Sequence, residues 1–319
     1  MSIPAVSIQN LSKSYRIGFS IHKFKAVDGL SCEVPQGMVM GLIGPNGAGK
    51  TTTIHCLLGM LMPDEGSVSL FGEDPCNPEV RRRLGYQSEI FHTYDFLKPQ
   101  AALRFYGRLA GLPENGLEGR IEEELERMGL SNAREKKVKH FSKGMRQRLG
   151  VAQALMHDPD LLILDEPFTG LDPQGRKVIG DRVLQEKQAG KTVFFSSHNL
   201  TDIERLCDHV IMIREGQVVM SGDIHELTAS EDRWKIEVEG WQESYAGRLG
   251  GEGVSVRQEL DLHVIECDGG RKEEVIRTLL DLQVNILRLN PSTRSLEERY
   301  MELESSESKA EEEEEAAQS

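Results

Sequence analysis

The densest chemistry in this chain lies in the run Gly44-Pro45-Asn46-Gly47-Ala48-Gly49-Lys50-Thr51, followed by Thr52. It fits G-x-x-x-x-G-K-[ST] and sits between an apolar run, Met38 to Ile43, and a helical pattern that begins near Lys50. Glycines let the backbone aim several N–H groups at phosphate oxygens, and the helix start adds its positive dipole end. In that setting Lys50 reaches the β- and γ-phosphates of a nucleotide, and the Thr51 hydroxyl suits Mg²⁺. A second stretch, Leu161-Leu162-Ile163-Leu164-Asp165-Glu166-Pro167, reads as a buried strand with an acidic pair at its carboxyl end, where ligands bind in such sheets. Asp165 suits the Mg²⁺ shell, and Glu166 suits a base that orients the attacking water. Between them lies His140-Phe141-Ser142-Lys143-Gly144-Met145-Arg146-Gln147-Arg148. There Ser142 can cap a helix starting at Gly144, so that its hydroxyl and the first N–H groups form an anion site.

These groups need an α/β frame to hold them. Strand-like alternation covers Val6–Tyr15 and Leu30–Gly44 and leads through the glycine-rich turn into a helix, the order of a parallel, buried sheet. From about 77 to 157 the pattern is mostly helical. The strand before Asp165 follows, then a helix around 175–189, the strand ending in Ser196-Ser197-His198, another helix, and a hairpin turning at Glu215-Gly216. After Leu227 the order becomes strand, short helix, strand, strand, helix, strand. There Trp234, Ile236 and Val238 share one face of the first strand, the split βαβ order of a ferredoxin-like α+β unit.

Composition narrows the classes. Hydrophobic residues make up 38% of the 319, and no apolar run reaches the roughly 18–20 residues of a membrane span. The five cysteines (Cys32, Cys56, Cys76, Cys207, Cys267) form no C-x-x-C pair, which suits reduced thiols in a cytosolic protein, and the nine histidines show no metal-ligand spacing. No secretory signal is visible in Met1–Asn10. The net charge is −14, and half of it falls between Glu302 and Ser319, a tail expected to be disordered. An acidic body speaks against a nucleic-acid partner, which needs a clustered basic face.

Taken together, the chain resembles the ATP-binding cassette (ABC) family of transporter ATPases over about Val6 to Leu227. The resemblance implies a P-loop ABC-type ATPase domain at 1–229 with a helical subdomain at about 85–158. A small α+β domain at 230–303 and an acidic tail at 304–319 follow. Phe141-Ser142-Lys143-Gly144-Met145 stands where the family has its LSGGQ signature; Lys143 and Met145 depart from it, while Ser142 and Gly144, the phosphate-contacting positions, match. The resemblance implies that this segment grips the γ-phosphate of ATP held by a partner cassette. It further implies adenine stacking for Tyr15, a loop crossing to the opposite cassette at Asp172, and a switch histidine at His198. The family commonly has Gln four residues after the glycine of G-Y-x-P-Q. Counting from Gly85 reaches Glu89, assigned here as a further Mg²⁺ ligand, while Gln87 comes two residues earlier, and either could face the metal.

The implied function is ATP hydrolysis that drives transport, with export suggested by Ser292–Leu303, which resembles the ending of exporter-type ATPases with a separate permease. The implied cofactors are ATP and Mg²⁺. The implied partners are a second ATPase subunit, as a homodimer, and an integral membrane permease, which would hold the chain at the inner face of the cell membrane. Phe91, Tyr94 and Phe96 are candidates for a permease-docking groove, with core packing as the competing reading. The alternative function is a non-transport cassette ATPase acting on DNA or ribosomes. Against it, only 115 residues separate Lys50 from Asp165, too few for an inserted coiled coil, and the chain is acidic.

Overall fold

A computed structural model describes residues 3–16, 23–249, 253–259, 262–293 and 295–300. The chain divides into two compact units, Met1–Ile224 and His225–Ser319, five residues earlier than the sequence pattern placed the boundary. The acidic tail at 304–319 lies outside the described residues.

In chain order the first unit contains β1 (Val6–Arg16), β2 (Lys23–Val34), β3 (Val39–Ile43), α1 (Lys50–Leu57), β4 (Glu65–Leu70), α2 (Pro78–Arg82) and β5 (Leu84–Gln87). It continues with α3 (Pro99–Leu109), α4 (Leu117–Arg127), α5 (Lys143–Leu155), β6 (Leu161–Leu164), α6 (Pro173–Gln188), β7 (Thr192–Ser197), α7 (Leu200–Leu206), β8 (His209–Arg214) and β9 (Gln217–Asp223). The main sheet runs β5-β6-β7-β3-β8-β9, parallel throughout except for the β8–β9 hairpin. A separate antiparallel sheet runs β2-β1-β4. Strands β3, β6 and β7 are buried along their whole length, which is why they read as continuous apolar runs rather than alternating ones.

One core fills the space between the two sheets. Met40, Leu42, Leu161, Ile163, Phe194, Ile211 and Ile213 of the main sheet pack with Ile8 and Leu11 of β1, Leu30 of β2, and Ile54 and Leu57 of α1. Helices α5, α6 and α7 pack on β5, β7 and β3. Each buried leucine or isoleucine of this layer contributes about 1.5–3 kcal/mol relative to exposure, so the strand ends that carry the acidic pair are held by the core itself.

Two strands departed from the sequence pattern. β4 was not distinguished, and β5 fell within the stretch read as mostly helical. β5 is four residues long and contains Gly85, where a Cβ would stand 2.3 Å from the Ala154 carbonyl oxygen. So short a strand, pressed against the end of α5, carries no readable period. The helical part of this unit is tied back by buried charge. Glu124 of α4, fully buried, accepts from Arg182 Nη2 of α6 at 3.1 Å, and the same nitrogen lies 2.8 Å from Glu186. Burial pushes the Glu124 carboxyl up, against the pull of Arg182 and Arg120.

After α8 (Ile224–Thr228), the second unit holds β10 (Ala229–Glu239), β11 (Val254–Glu259), β12 (Leu262–Asp268), α9 (Lys272–Asp281) and β13 (Asn285–Thr293). The sheet order is β11-β12-β10-β13, antiparallel at every pairing, which is the strand order of a split βαβ unit. The first crossover is a 3₁₀ turn at Glu243–Arg248 rather than a full α-helix. Ile236 and Val238 are buried, and Trp234 packs beside them under the Lys272 ammonium, 3.6 Å from the ring centroid. Past β13, Ser295 and Glu298 form a capping box. Glu298 N–H donates to Ser295 Oγ at 3.1 Å, and Ser295 N–H donates to Glu298 Oε2 at 3.2 Å.

Candidate active site

β3 ends at Ile43 and α1 begins at Lys50, so the loop between them lies at the carboxyl edge of the parallel sheet. Its tightness has a steric cause. A Cβ at Gly44 would stand 2.3 Å from the Ile213 carbonyl oxygen, and one at Gly49, whose φ is 105°, would stand 2.2 Å from that of Ala26. Only glycine fits either place. Lys50, buried at the first turn of α1, donates to the carbonyls of Gly44 at 2.7 Å and Pro45 at 3.1 Å, which folds its chain back over the loop.

The acidic pair ends β6. Glu166 adopts φ 48°, a left-handed backbone that costs a non-glycine residue about 1 kcal/mol. Its N–H donates to Ser196 Oγ at 2.8 Å, and that hydroxyl donates to Asp165 Oδ1 at 2.6 Å. Ser196, fully buried in β7, therefore clamps both acidic residues and holds the strained turn that points the Glu166 carboxylate outward. The carboxylate is met from three sides. Lys50 Nζ lies 3.1 Å from Oε1, while His198 Nδ1 at 2.8 Å and the donating Thr169 hydroxyl at 3.1 Å share Oε2.

A cavity of about 410 Å³ opens over these groups. Its wall is made by Tyr15, Phe24 and Ala26, by Asn46, Gly47, Gly49, Lys50, Thr51 and Thr52, and by Glu89, Glu166, Thr169 and His198. Of the two residues weighed for the metal, Glu89 is on the wall, whereas Gln87 is fully buried and donates to Gln147 Oε1 at 2.8 Å. Asp165 is not on the wall. It is 1% exposed, lies behind Glu166 and accepts from the Ser196 hydroxyl. Burial pushes the neighbouring Tyr86 hydroxyl up to about 12, and the Asp165 charge adds to that.

The rest of the expected set lies elsewhere. Ser142 is exposed and caps α5, its hydroxyl accepting from Met145 N–H at 3.2 Å; the helix begins at Lys143, one residue before the expected start. Gly144 packs near Leu171, and Asp172 caps α6 by accepting from Gly175 N–H at 2.9 Å. Ser142, Gly144 and Asp172 are off the wall of the cavity in their own chain. The aromatic trio divides: Phe91 is buried against Gly150, while Tyr94 and Phe96 are exposed with ring centroids 5.7 Å apart, so core packing accounts for Phe91 alone. Sequence reasoning missed Phe24, Thr169 and Ser196. Phe24 was findable as the cross-strand partner of Tyr15; the two serines before His198 gave no hint which of them turns toward Asp165.

A profile described as ABC transporter matches residues 27–169. An uncharacterized ABC transporter ATP-binding protein of Synechocystis is 34% identical over 299 residues, 93% of this chain and 83% of that protein. The chain belongs to the ATP-binding proteins of ABC transporters. The Nod factor export ATP-binding protein I of Ralstonia nicotianae is 40% identical to this ABC protein over 234 residues, 72% of this chain and 70% of that one. A solved ATP-binding subunit of an ABC transporter matches with a TM-score of 0.62 at 30% identity, over 70% of this chain and 91% of that one. ABC subunits of this kind bind and hydrolyse ATP and work with membrane permease partners. Among the described residues of this ABC chain, no helix is long and apolar enough to cross a membrane. The likenesses are to transporter subunits, so an ATPase acting on DNA or ribosomes is not favoured.

The family implies magnesium, and the donor set around the cavity bears on it directly. Among the described residues, no cluster of three or more histidine, cysteine or acidic side chains is gathered for a metal. What is present is a hydroxyl, Thr51, and a carboxylate, Glu89, on one wall, with Asp165 behind. That sparse oxygen set suits Mg²⁺, which keeps several waters and takes further ligands from the phosphates of its substrate.

Proposed function

We propose that this chain is the ATP-hydrolysing subunit of an exporter, acting as a pair of identical subunits on the inner face of the cell membrane, with a separate permease. The observation that carries the pairing is the split of the site: the cavity wall holds the phosphate loop, Glu166 and His198, while Ser142, exposed, and Gly144, half-buried, stand off that wall. A second copy would bring its α5 N-terminus, with the Ser142 hydroxyl and helix N–H groups, to the open side of the γ-phosphate. The export direction is supported by the likeness to the Nod factor export protein, and by the ending Ser292–Leu303.

In the mechanism, Tyr15 and Phe24 form the rim on which adenine rests, and Gly47 and Gly49 turn the loop N–H groups toward the phosphates. Lys50 would leave Glu166 for the β- and γ-oxygens, since the two share one ion pair at 3.1 Å. Glu166 is thereby freed to accept a proton from the attacking water, while His198 holds the γ-phosphate from the other side. Thr51 and Glu89, with Asp165 behind them, would hold Mg²⁺, which would supply neutralisation of the charge that develops on the phosphate oxygens.

Glu166→Gln tests the reading, because it keeps the shape of the site and removes the base. It should bind ATP and migrate as a dimer on size exclusion with Mg-ATP, and Ser142→Arg in the same background should return it to monomer. A Glu166→Gln, Ser142→Arg protein that still dimerises would contradict the pairing.

A further inference from the structure

Gln147 lies on α5, five residues after Ser142, and is 1% exposed. Its amide is used at both ends. Oε1 accepts from Gln87 Nε2 at 2.8 Å. Nε2 donates to the backbone carbonyl of Glu89 at 3.0 Å and, at the long end of the range, to that of Glu166 at 3.4 Å. The reverse orientation would set an oxygen against two carbonyls, so these partners fix the amide as described. Gln87 extends the link through its own carbonyl, which accepts from Asp165 N–H at 2.9 Å.

One side chain thus holds the main chain of both residues whose carboxylates line the cavity, Glu89 and Glu166, while sitting off the wall itself. It does so from the helix that Ser142 caps. Five residues of α-helix span only about 7.5 Å, and a helix moves as a rod over that length. A push on the α5 N-terminus therefore arrives at the two carbonyls almost undiminished. Glutamine suits the task by its two donors: leucine would strand two carbonyls and the Gln87 amide without partners, and glutamate would set acceptor against acceptor.

We propose that Gln147 is a positioning residue that couples the two ATP sites of the pair. Contact of Ser142 with phosphate in one site shifts α5, and Gln147 converts that shift into placement of Glu89 and Glu166 in the other. This rests on the paired reading above. It makes α5 the physical link through which occupancy of one site sets the turnover of the other, a coupling free energy carried by identified hydrogen bonds.

The test compares full-length wild type, Gln147→Leu, Gln87→Leu and the double Leu variant. Gln87→Leu breaks the same buried amide pair but leaves both carbonyl contacts of Gln147. The double variant replaces both amides with apolar groups, which protects folding if the single change at 147 does not tolerate the loss. Hydrolysis is measured against Mg-ATP concentration, alongside ATP affinity of the dilute monomer and thermal melting. Wild type and Gln87→Leu should show a Hill coefficient approaching about 2, and Gln147→Leu and the double variant about 1, with turnover about tenfold lower and monomer affinity within about twofold of wild type. Retained cooperativity in the double variant, or equal loss of it in Gln87→Leu and Gln147→Leu, would overturn the coupling and leave the pairing intact. A wild type with a Hill coefficient of 1 and no ATP-driven dimer of Glu166→Gln would instead bring down the pairing, and the coupling with it.

Discussion

At the phosphate loop, Lys50, Thr169 and His198 gather within 3.1 Å of one buried carboxylate, that of Glu166. At the start of α5, Ser142 stands exposed, its hydroxyl 3.2 Å from a backbone N–H of its own helix. The first region is held from all sides by a core of strand ends; the second is an ordinary capped helix terminus presented to solvent. The difference separates two kinds of functional residue. On the paired reading proposed above, groups that perform hydrolysis are preorganised within the chain, because misplacement of a base by even an ångström is costly. Groups that would serve a neighbour need only be displayed, so their surroundings in one chain look like those of any capped helix.

The largest effect expected from breaking the first region is that of Glu166→Gln. Turnover should fall by about a hundredfold or more, the usual contribution of a positioned base, while ATP affinity stays within a few-fold of wild type. Single-turnover hydrolysis beside equilibrium binding checks both, and near-normal turnover would remove Glu166 from its role. Ser196→Ala comes next. It removes an acceptor from the Glu166 N–H and a donor from Asp165, both buried, at a cost of about 3 kcal/mol in stability. Turnover should fall about tenfold with little change in the ATP concentration at half-saturation, because the loop around Lys50 is untouched; a rise in that concentration with unchanged turnover would show that the clamp acts on binding instead.

The smallest effect lies just beyond the far end of α5. Burial holds the His157 imidazole below its ordinary value of 6.5, with its Nε2 2.8 Å from the Leu84 carbonyl. The unfolded chain therefore takes up this proton more readily than the folded one. The stability His157 contributes is fully present above pH 6.5 and is lost as pH falls through its lower folded value. Melting temperature should drop on going from pH 7 to 5, and His157→Gln should shrink that drop by about 2 °C. Glu124, pushed up by burial, works in the opposite sense, so the comparison must be between the two proteins and not along one curve.

The parallel sheet, the phosphate loop and the acidic pair were legible because each is local: an apolar run, a spacing of glycines, two carboxylates after four apolar residues. β5 was not, since four residues that include Gly85 carry no period and depend on the α5 terminus pressed against them. Glu89 was reachable by counting from Gly85, but that Gln87 turns inward follows from its partner Gln147, sixty residues away. Ser196 was hidden for the same reason: of two adjacent serines, the alternation of β7 and the position of Asp165 decide which one bonds. Local pattern gave the chemistry, and long-range pairing gave its supports.

The pairing of the two regions across two chains is tested most directly by covalently linked dimers that carry the same two lesions in different arrangements. With Lys50→Ala on one half and Ser142→Arg on the other, both lesions fall in one composite site and the opposite site keeps an intact loop and an intact α5 terminus. With both changes on the same half, each site loses one of its parts. ATP occupancy and hydrolysis should therefore be greater in the split design, close to half the wild-type occupancy. Greater occupancy with both changes on one half would place Ser142 at its own chain's phosphates and contradict the pairing.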